Sequence, residues 1–156
     1  DVLAAIYYKY GMECKNKFVA EWFEFNLNIN NILTALTCRK YGWDIKSAIV
    51  GDNVVAETIR NSVSARDFNL KAEIDYFDAL VSISETANLL DREHRIDALK
   101  WNWLEENTFF SSFSIEKVLS FWLRCELMHR WDNLSMEEGA EIFRQMINDL
   151  KKDVKF

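Results

Sequence analysis

From Phe18 to Gly42 the chain carries one helical pattern, with no proline and no glycine before its last residue. Phe18, Trp22, Phe25, Ile29, Ile32 and Leu36 follow at alternating steps of four and three, the spacing of a single apolar seam on a helix. Asn26, Asn28, Asn30 and Asn31 interrupt it with side chains that favour caps and turns over helix interiors. A helix that keeps them mid-length is held by tertiary packing or by a partner. Asn16 fits its N-cap and Gly42 its natural stop.

The rest of the chain points the same way. It has no proline and only four glycines in 156 residues, where an average chain of that length would carry roughly eight prolines. A β-rich protein would lack the punctuation its turns need. The expectation is an all-α protein, a multi-helix bundle of about six to eight helices at ordinary helix lengths. Residues 1–156 are read as a single helical domain, long enough for a real core. The chain starts at Asp1 and is helix-patterned almost at once, so it is read as a fragment of a longer protein.

Charge excludes one partner class. A net charge of −6 and a pI near 5.0 argue against nucleic acid, which selects basic surfaces. The one basic run, Lys151-Lys152-Asp153-Val154-Lys155, suits a helix C-terminus. No apolar run approaches about 18 residues, so direct membrane insertion is not expected, and no signal peptide is visible. Cys14, Cys38 and Cys125 are odd in number and far apart, which fits reduced thiols in a cytoplasmic protein.

Along the chain, a first helix is expected over Val2–Glu13, and a short or irregular piece after Trp43. A short helix capped by Asp52 or Asn53 runs to Ile59. Asn61–Asp67 reads as a loop, and Asn69 as the cap of a helix with Leu70, Ile74, Phe77 and Val81 on its apolar stripe. Later helices are expected over Leu89–Phe109, over Ile115–Trp131 behind a Ser114 cap, and beyond the Ser135–Glu138 capping box.

Two carboxylate-x-x-His spacings, Asp91–His94 and Glu126–His129, invite a di-metal reading, since paired Glu-x-x-His motifs build di-iron sites in helical bundles. Glu126 and His129 fall among Ile115, Leu119 and Trp122, which predicts partial burial. Asp91 and His94 fall opposite Ile96, Leu99 and Trp103. Half-sites facing different ways cannot enclose one metal pair, so no metal and no cofactor is expected. There is no glycine-rich phosphate loop, and Ser114 is explained as a cap, so a non-enzyme is favoured. Aromatic residues make up 14% of the chain. Trp101 and Trp103 are about 200° apart around one helix axis, so one face cannot bury both. Trp101 is therefore the candidate partner contact.

The run Asn31-Ile-Leu-Thr-Ala-Leu-Thr-Cys-Arg-Lys-Tyr-Gly42 resembles a signature of the funnel-shaped central-stalk subunit of V-type and A-type ATPases (designated d in eukaryotes). The resemblance puts Glu24 at the acidic place, Asn31 at the asparagine, Arg39 or Lys40 at the basic place and Gly42 at the stop. The chain departs from the pattern at Asn28 and Thr37. Ile115–Glu126 resembles a late helix of the same family. The chain from Asp1 to Phe156 also resembles an uncharacterised bacterial family linked to V-type ATPase gene clusters, on Gly51-Asp-Asn53, Leu89-Leu-Asp-Arg-Glu93 and Ala98–Glu106. The resemblance implies the helical fold of the stalk funnel and a non-catalytic adaptor, cytoplasmic and peripheral to a membrane complex. Its partners would be the rotor-shaft and membrane-ring subunits, and it would pass torque between ATP hydrolysis and ion transport. The alternatives are a general helical interaction or regulatory scaffold and, less favoured, the di-metal carboxylate enzyme.

Overall fold

The computed structural model of the protein describes residues 2–132 and 134–153. These form eight α-helices and no strand: α1 (Val2–Met12), α2 (Lys17–Tyr41), α3 (Ile45–Ala48), α4 (Val54–Asn61), α5 (Phe77–Ser84), α6 (Leu89–Glu106), α7 (Ile115–Asp132) and α8 (Met136–Asp153). The chain forms two compact units, Asp1–Lys100 and Trp101–Phe156, divided within α6.

The first unit is organised around α2. Asn16 Oδ1 accepts from the Val19 N–H at 3.1 Å, closing the N-terminus. At the other end Gly42 takes a left-handed φ of 71°, and the Trp43 N–H returns to the Cys38 carbonyl at 2.8 Å. Phe18, Phe25, Ile29 and Ile32 of the seam are buried, with Trp22 and Leu36 half-buried. Burial extends well beyond that seam, to Leu27, Asn28, Asn31, Ala35 and Cys38. The reason is that α1, α3, α4 and α5 all pack on α2, so more than one of its faces is enclosed. Ile45, Ile49, Val55, Ile59, Phe68, Leu70, Ile74, Phe77, Leu80 and Ile83 complete this core.

The approach of α1 to α2 depends on Gly11, where an added Cβ would collide with the Phe23 ring. Tyr7 meets the same ring at 5.1 Å between centroids. The outer side of α1 leaves Val2, Leu3, Ile6 and Tyr10 exposed.

The helix expected from Asn69 is shorter than its apolar stripe. Phe68 and Asn69 take positive φ values of 52° and 58°, and Asp67 Oδ1 accepts from the Asn69 N–H at 3.1 Å. This local turn competes with helical hydrogen bonding, so regular helix begins only at Phe77. Leu70, Ile74 and Phe77 are nevertheless buried, and Leu80 takes the inward place expected of Val81.

The second unit is built differently. Its buried described residues are Leu104, Thr108 and Ser120. Thr108 and Ser120 both donate to the Leu104 carbonyl, at 2.7 and 3.1 Å, joining the end of α6 to α7. Ser114 Oγ caps α7 by accepting from the Lys117 N–H at 3.2 Å, and Ser135 Oγ caps α8 by accepting from the Glu138 N–H at 3.0 Å. Of the basic run, Lys151 and Lys152 stand in the last turn of α8, while Val154 and Lys155 lie outside the described residues. Cys14 is exposed, Cys38 buried and Cys125 half-buried, and none is in a disulfide.

Candidate functional site

The polar residues singled out on α2 form a set of clamps between that helix and the loops around it. Asn31 is buried, and its amide donates to the Val50 carbonyl at 2.8 Å and accepts from the Val50 N–H at 3.0 Å. A side-chain amide is here doing what a neighbouring strand would do, satisfying both backbone groups of a loop residue. One turn earlier, the Asn28 carbonyl oxygen accepts from Asn53 Nδ2 at 2.8 Å. Asn53 Oδ1 in turn caps α4 through the Ala56 N–H. Glu24 is half-buried beside them, 3.4 Å from Asn53 Nδ2.

Tyr76 closes this cluster, its ring edge-on to Phe25 at 5.0 Å. Burial pushes its phenol up to about 12; a hydrogen bond with Asn28 opposes that shift and the Glu24 charge adds to it. At neutral pH the phenol is therefore a fixed neutral partner and is poorly suited to proton transfer.

Arg39 stands in the last turn of α2. Its guanidinium donates to the carbonyls of Val63, at 3.0 Å, and Ala65, at 2.7 Å, as well as to that of Arg66. It also lies 3.7 Å from the centre of the Phe68 ring. Burial lowers its pKa and nearby Asp67 raises it. Thus Glu24, Asn31, Arg39 and Gly42, the motif residues, are brought into one unit as fixtures of its fold: an edge, two clamps and a helix stop.

Asn26 and Asn30 lie beside the seam, where a bond to a neighbouring helix is expected of each. Asn30 makes one, its amide donating to the Tyr8 hydroxyl of α1. Asn26 instead donates to the Trp22 carbonyl of its own helix at 2.8 Å. Between α1 and α2, Tyr7, Tyr8, Trp22, Phe23 and Asn26 line a cleft of about 110 Å³, well below the roughly 300–1,000 Å³ of small-molecule sites.

Arg60 carries no mark in the sequence. It donates to the Ile49 and Gly51 carbonyls at 2.9 and 2.7 Å and pairs with Glu57 at 2.9 Å. Its position at the end of a short helix, nine and eleven residues after the carbonyls it holds, gives no local signal of that role.

Trp101 is half-buried, with the Arg124 guanidinium 5.1 Å from its ring centre. Arg124 also pairs with Glu105 at 3.0 Å.

Glu126 and His129 are exposed, a correction to the partial burial expected of them. The inward side of α7 is marked by Ser120, while Ile115 and Trp122, taken as its apolar guide, face outward. Asp91 and His94 are exposed as well. Among the described residues no group of three or more His, Cys, Asp or Glu side chains is placed to hold a metal ion. No described helix is long and apolar enough to cross a membrane.

A family model described as a protein of unknown function (DUF2764) matches residues 1–154. The chain belongs to that family. Comparison with curated proteins and with solved structures gives no match. For this DUF2764 member, then, the chemistry must be read from its surface. That surface is rich in apolar side chains: besides α1, helix α7 exposes Ile115, Val118, Phe121, Trp122 and Met128. Periodicity assigns some of these to a core, because it reports that a helix has an apolar face without reporting what covers it.

Proposed function

We propose that this chain is a non-catalytic helical adaptor whose partners are the rotor-shaft and membrane-ring subunits of a V/A-type ATPase. The observation that carries the adaptor reading is the exposure of apolar residues along α1 (Val2, Leu3, Ile6, Tyr7, Tyr10) and α7 (Ile115, Val118, Phe121, Trp122). Contiguous apolar faces of this extent mark protein–protein contact sites, and aromatic residues are the ones enriched there. Asn31, Arg39 and Arg60 are spent on backbone carbonyls and amides, which supports a structural role for them. The choice of ATPase rests on the sequence resemblance around Asn31–Gly42 and across the chain. On this reading the protein is cytoplasmic and peripheral to the membrane complex, and Trp101, which one helix face cannot bury together with Trp103, is among its contact residues.

The test is co-purification of the full-length protein with the shaft and ring subunits. Ile6→Glu combined with Phe121→Glu is expected to abolish capture while the helix content stays unchanged, and Trp101→Ala to weaken it. Normal assembly of the ATPase in cells lacking the protein would overturn the stalk assignment and leave a general helical scaffold.

A further inference from the structure

Helix α1 turns its smaller side chains inward. Ala4, Ala5, Tyr8, Gly11 and Met12 share one arc of roughly 120° at 3.6 residues per turn, and they are the buried or half-buried residues of the helix. Three of these five are alanine or glycine. The large side chains of Val2, Leu3, Ile6, Tyr7 and Tyr10 are exposed on the other side. A helix held by its apolar face does the opposite, because burial stabilises in proportion to the apolar area removed from water.

The receiving face of α2 is equally shallow. Phe23 and Asn30 lie roughly 120–140° round that helix from the Phe18–Leu36 seam. With α1 docked, Phe23 and Asn26 are half-buried and Asn30 is exposed. On the α1 side Gly11 is the buried residue. No large side chain among these is shut away from water.

What holds α1 in place is specific and thin. The Phe23 ring lies so close to the backbone at Gly11 that an added Cβ would meet it at 2.0 Å. Tyr7 touches the same ring, 5.1 Å between centroids. The Asn30 amide donates to the Tyr8 hydroxyl in a bond exposed to solvent.

The joint between the helices leaves each able to stand apart. The Glu13 N–H bonds the Lys9 carbonyl at 3.0 Å and the Cys14 N–H the Gly11 carbonyl at 3.2 Å, which finishes α1. Asn16 closes α2 locally, its Oδ1 accepting from the Val19 N–H and its carbonyl from the Ala20 N–H, both at 3.1 Å. Helices α3, α4 and α5 also pack on α2. Neither the start of α2 nor its seam depends on α1.

We infer that α1 is a strap that undocks from α2 as a unit while α2–α5 stay folded, uncovering Phe23 and Asn30. Closed, it covers that face with small residues; open, it frees the face and both sides of α1. An undocked helix of 11 residues is marginal in water, so α1 loses its amide protection when the strap opens. The strap stands on packing within the chain and goes beyond the adaptor reading.

Hydrogen exchange of the full chain, followed by mass spectrometry at rising sub-denaturing urea, tests it. The α1 amides are expected to exchange together, at least about a hundredfold faster than those of Leu27–Ala35. Their urea dependence is expected to be shallow, because undocking exposes little surface. Tyr8→Phe, which removes the hydroxyl that Asn30 bonds, is expected to speed α1 several-fold. Gly11→Ala is expected to speed it about tenfold or more by pushing the Phe23 ring away, and adding Phe23→Leu to return part of that protection. Exchange at Leu27–Ala35 stays unchanged in the Tyr8→Phe and Gly11→Ala chains.

An α1 that exchanges at the rate and urea slope of Leu27–Ala35 would overturn the strap and join α1 to one cooperative core. So would a Gly11→Ala chain in which both segments speed up alike. Amides that open one by one from Val2 onward, unaltered by Tyr8→Phe, would reduce α1 to a fraying end and overturn the strap equally.

Discussion

The two units spend their side chains in opposite ways. In Asp1–Lys100 a large apolar core gathers around α2, although α1 keeps Val2, Leu3, Ile6 and Tyr10 outside it, and the buried Asn28 and Asn31 and the half-buried Arg39 hold the surrounding segments. In Trp101–Phe156 the buried described residues are Leu104 and two hydroxyl side chains, while Phe109, Phe110, Phe121, Trp122, Phe143 and Leu150 stand exposed. The first arrangement is a core completed within the unit. The second is a set of amphipathic helices whose apolar faces stay open among the described residues. Composition does not distinguish the two; placement does.

The sharpest way to break this contrast is to hollow out the first unit. Leu27→Ala or Ile32→Ala, at fully buried positions, is expected to cost about 2–5 kcal/mol, read by chemical denaturation. If either variant unfolds like the parent, α2 is not the organiser described here. Next in size is Asn31→Ala. It strips both backbone groups of Val50 of their partner and is expected to cost about 1–3 kcal/mol, with faster amide exchange at Val50 as its specific sign. Gly11→Ala follows, at about 1–3 kcal/mol for overpacking against Phe23. Its effect should be relieved by Phe23→Leu in a double-mutant cycle.

Alkaline titration sharpens the comparison from another side. The Tyr76 phenol ionises near 10 in the unfolded chain and near 12 in the folded one. Its contribution is therefore fully present below pH 10 and is lost as pH rises toward 12. Tyr76→Phe is expected to flatten that loss, measured as denaturation midpoint against pH. The smallest effect is predicted in the second unit. Phe121→Ser, at an exposed position, should change the stability of the isolated chain by no more than about 0.5 kcal/mol. A multi-kcal loss there would mean that α7 is already packed at that face and would erase the contrast.

Much of the fold is legible in the sequence, for a local reason in each case. Asn16, Asn53, Ser114 and Ser135 announce helix starts because a cap acts over three residues, and Gly42 announces a stop because αL geometry is a property of one residue. The break at Phe68–Asn69 was hidden because the apolar spacing of Leu70, Ile74 and Phe77 survives without a helix to carry it. The candidate site was legible as residue choices and not as roles. Asn31 stood out for interrupting a helix and Arg39 as the basic place of the resemblance, but their targets, Val50 and the Val63–Arg66 carbonyls, lie nineteen to twenty-seven positions away along the chain. No pattern within the helix points to them. The outward faces of α7 and α8 were equally opaque, since an amphipathic period reads the same whether its cover is inside the chain or outside it.

The three thiols give the chain a built-in clock for these differences. Cys14 is open to solvent, Cys38 is shut inside α2 and Cys125 lies half-covered in the other unit. An alkylating reagent should therefore mark Cys14 at once. It should mark Cys125 when the second unit breathes, and Cys38 only when the first unit opens as a whole. Three labelling rates from one sample then rank the openings of both units in a chain that carries no engineered probe.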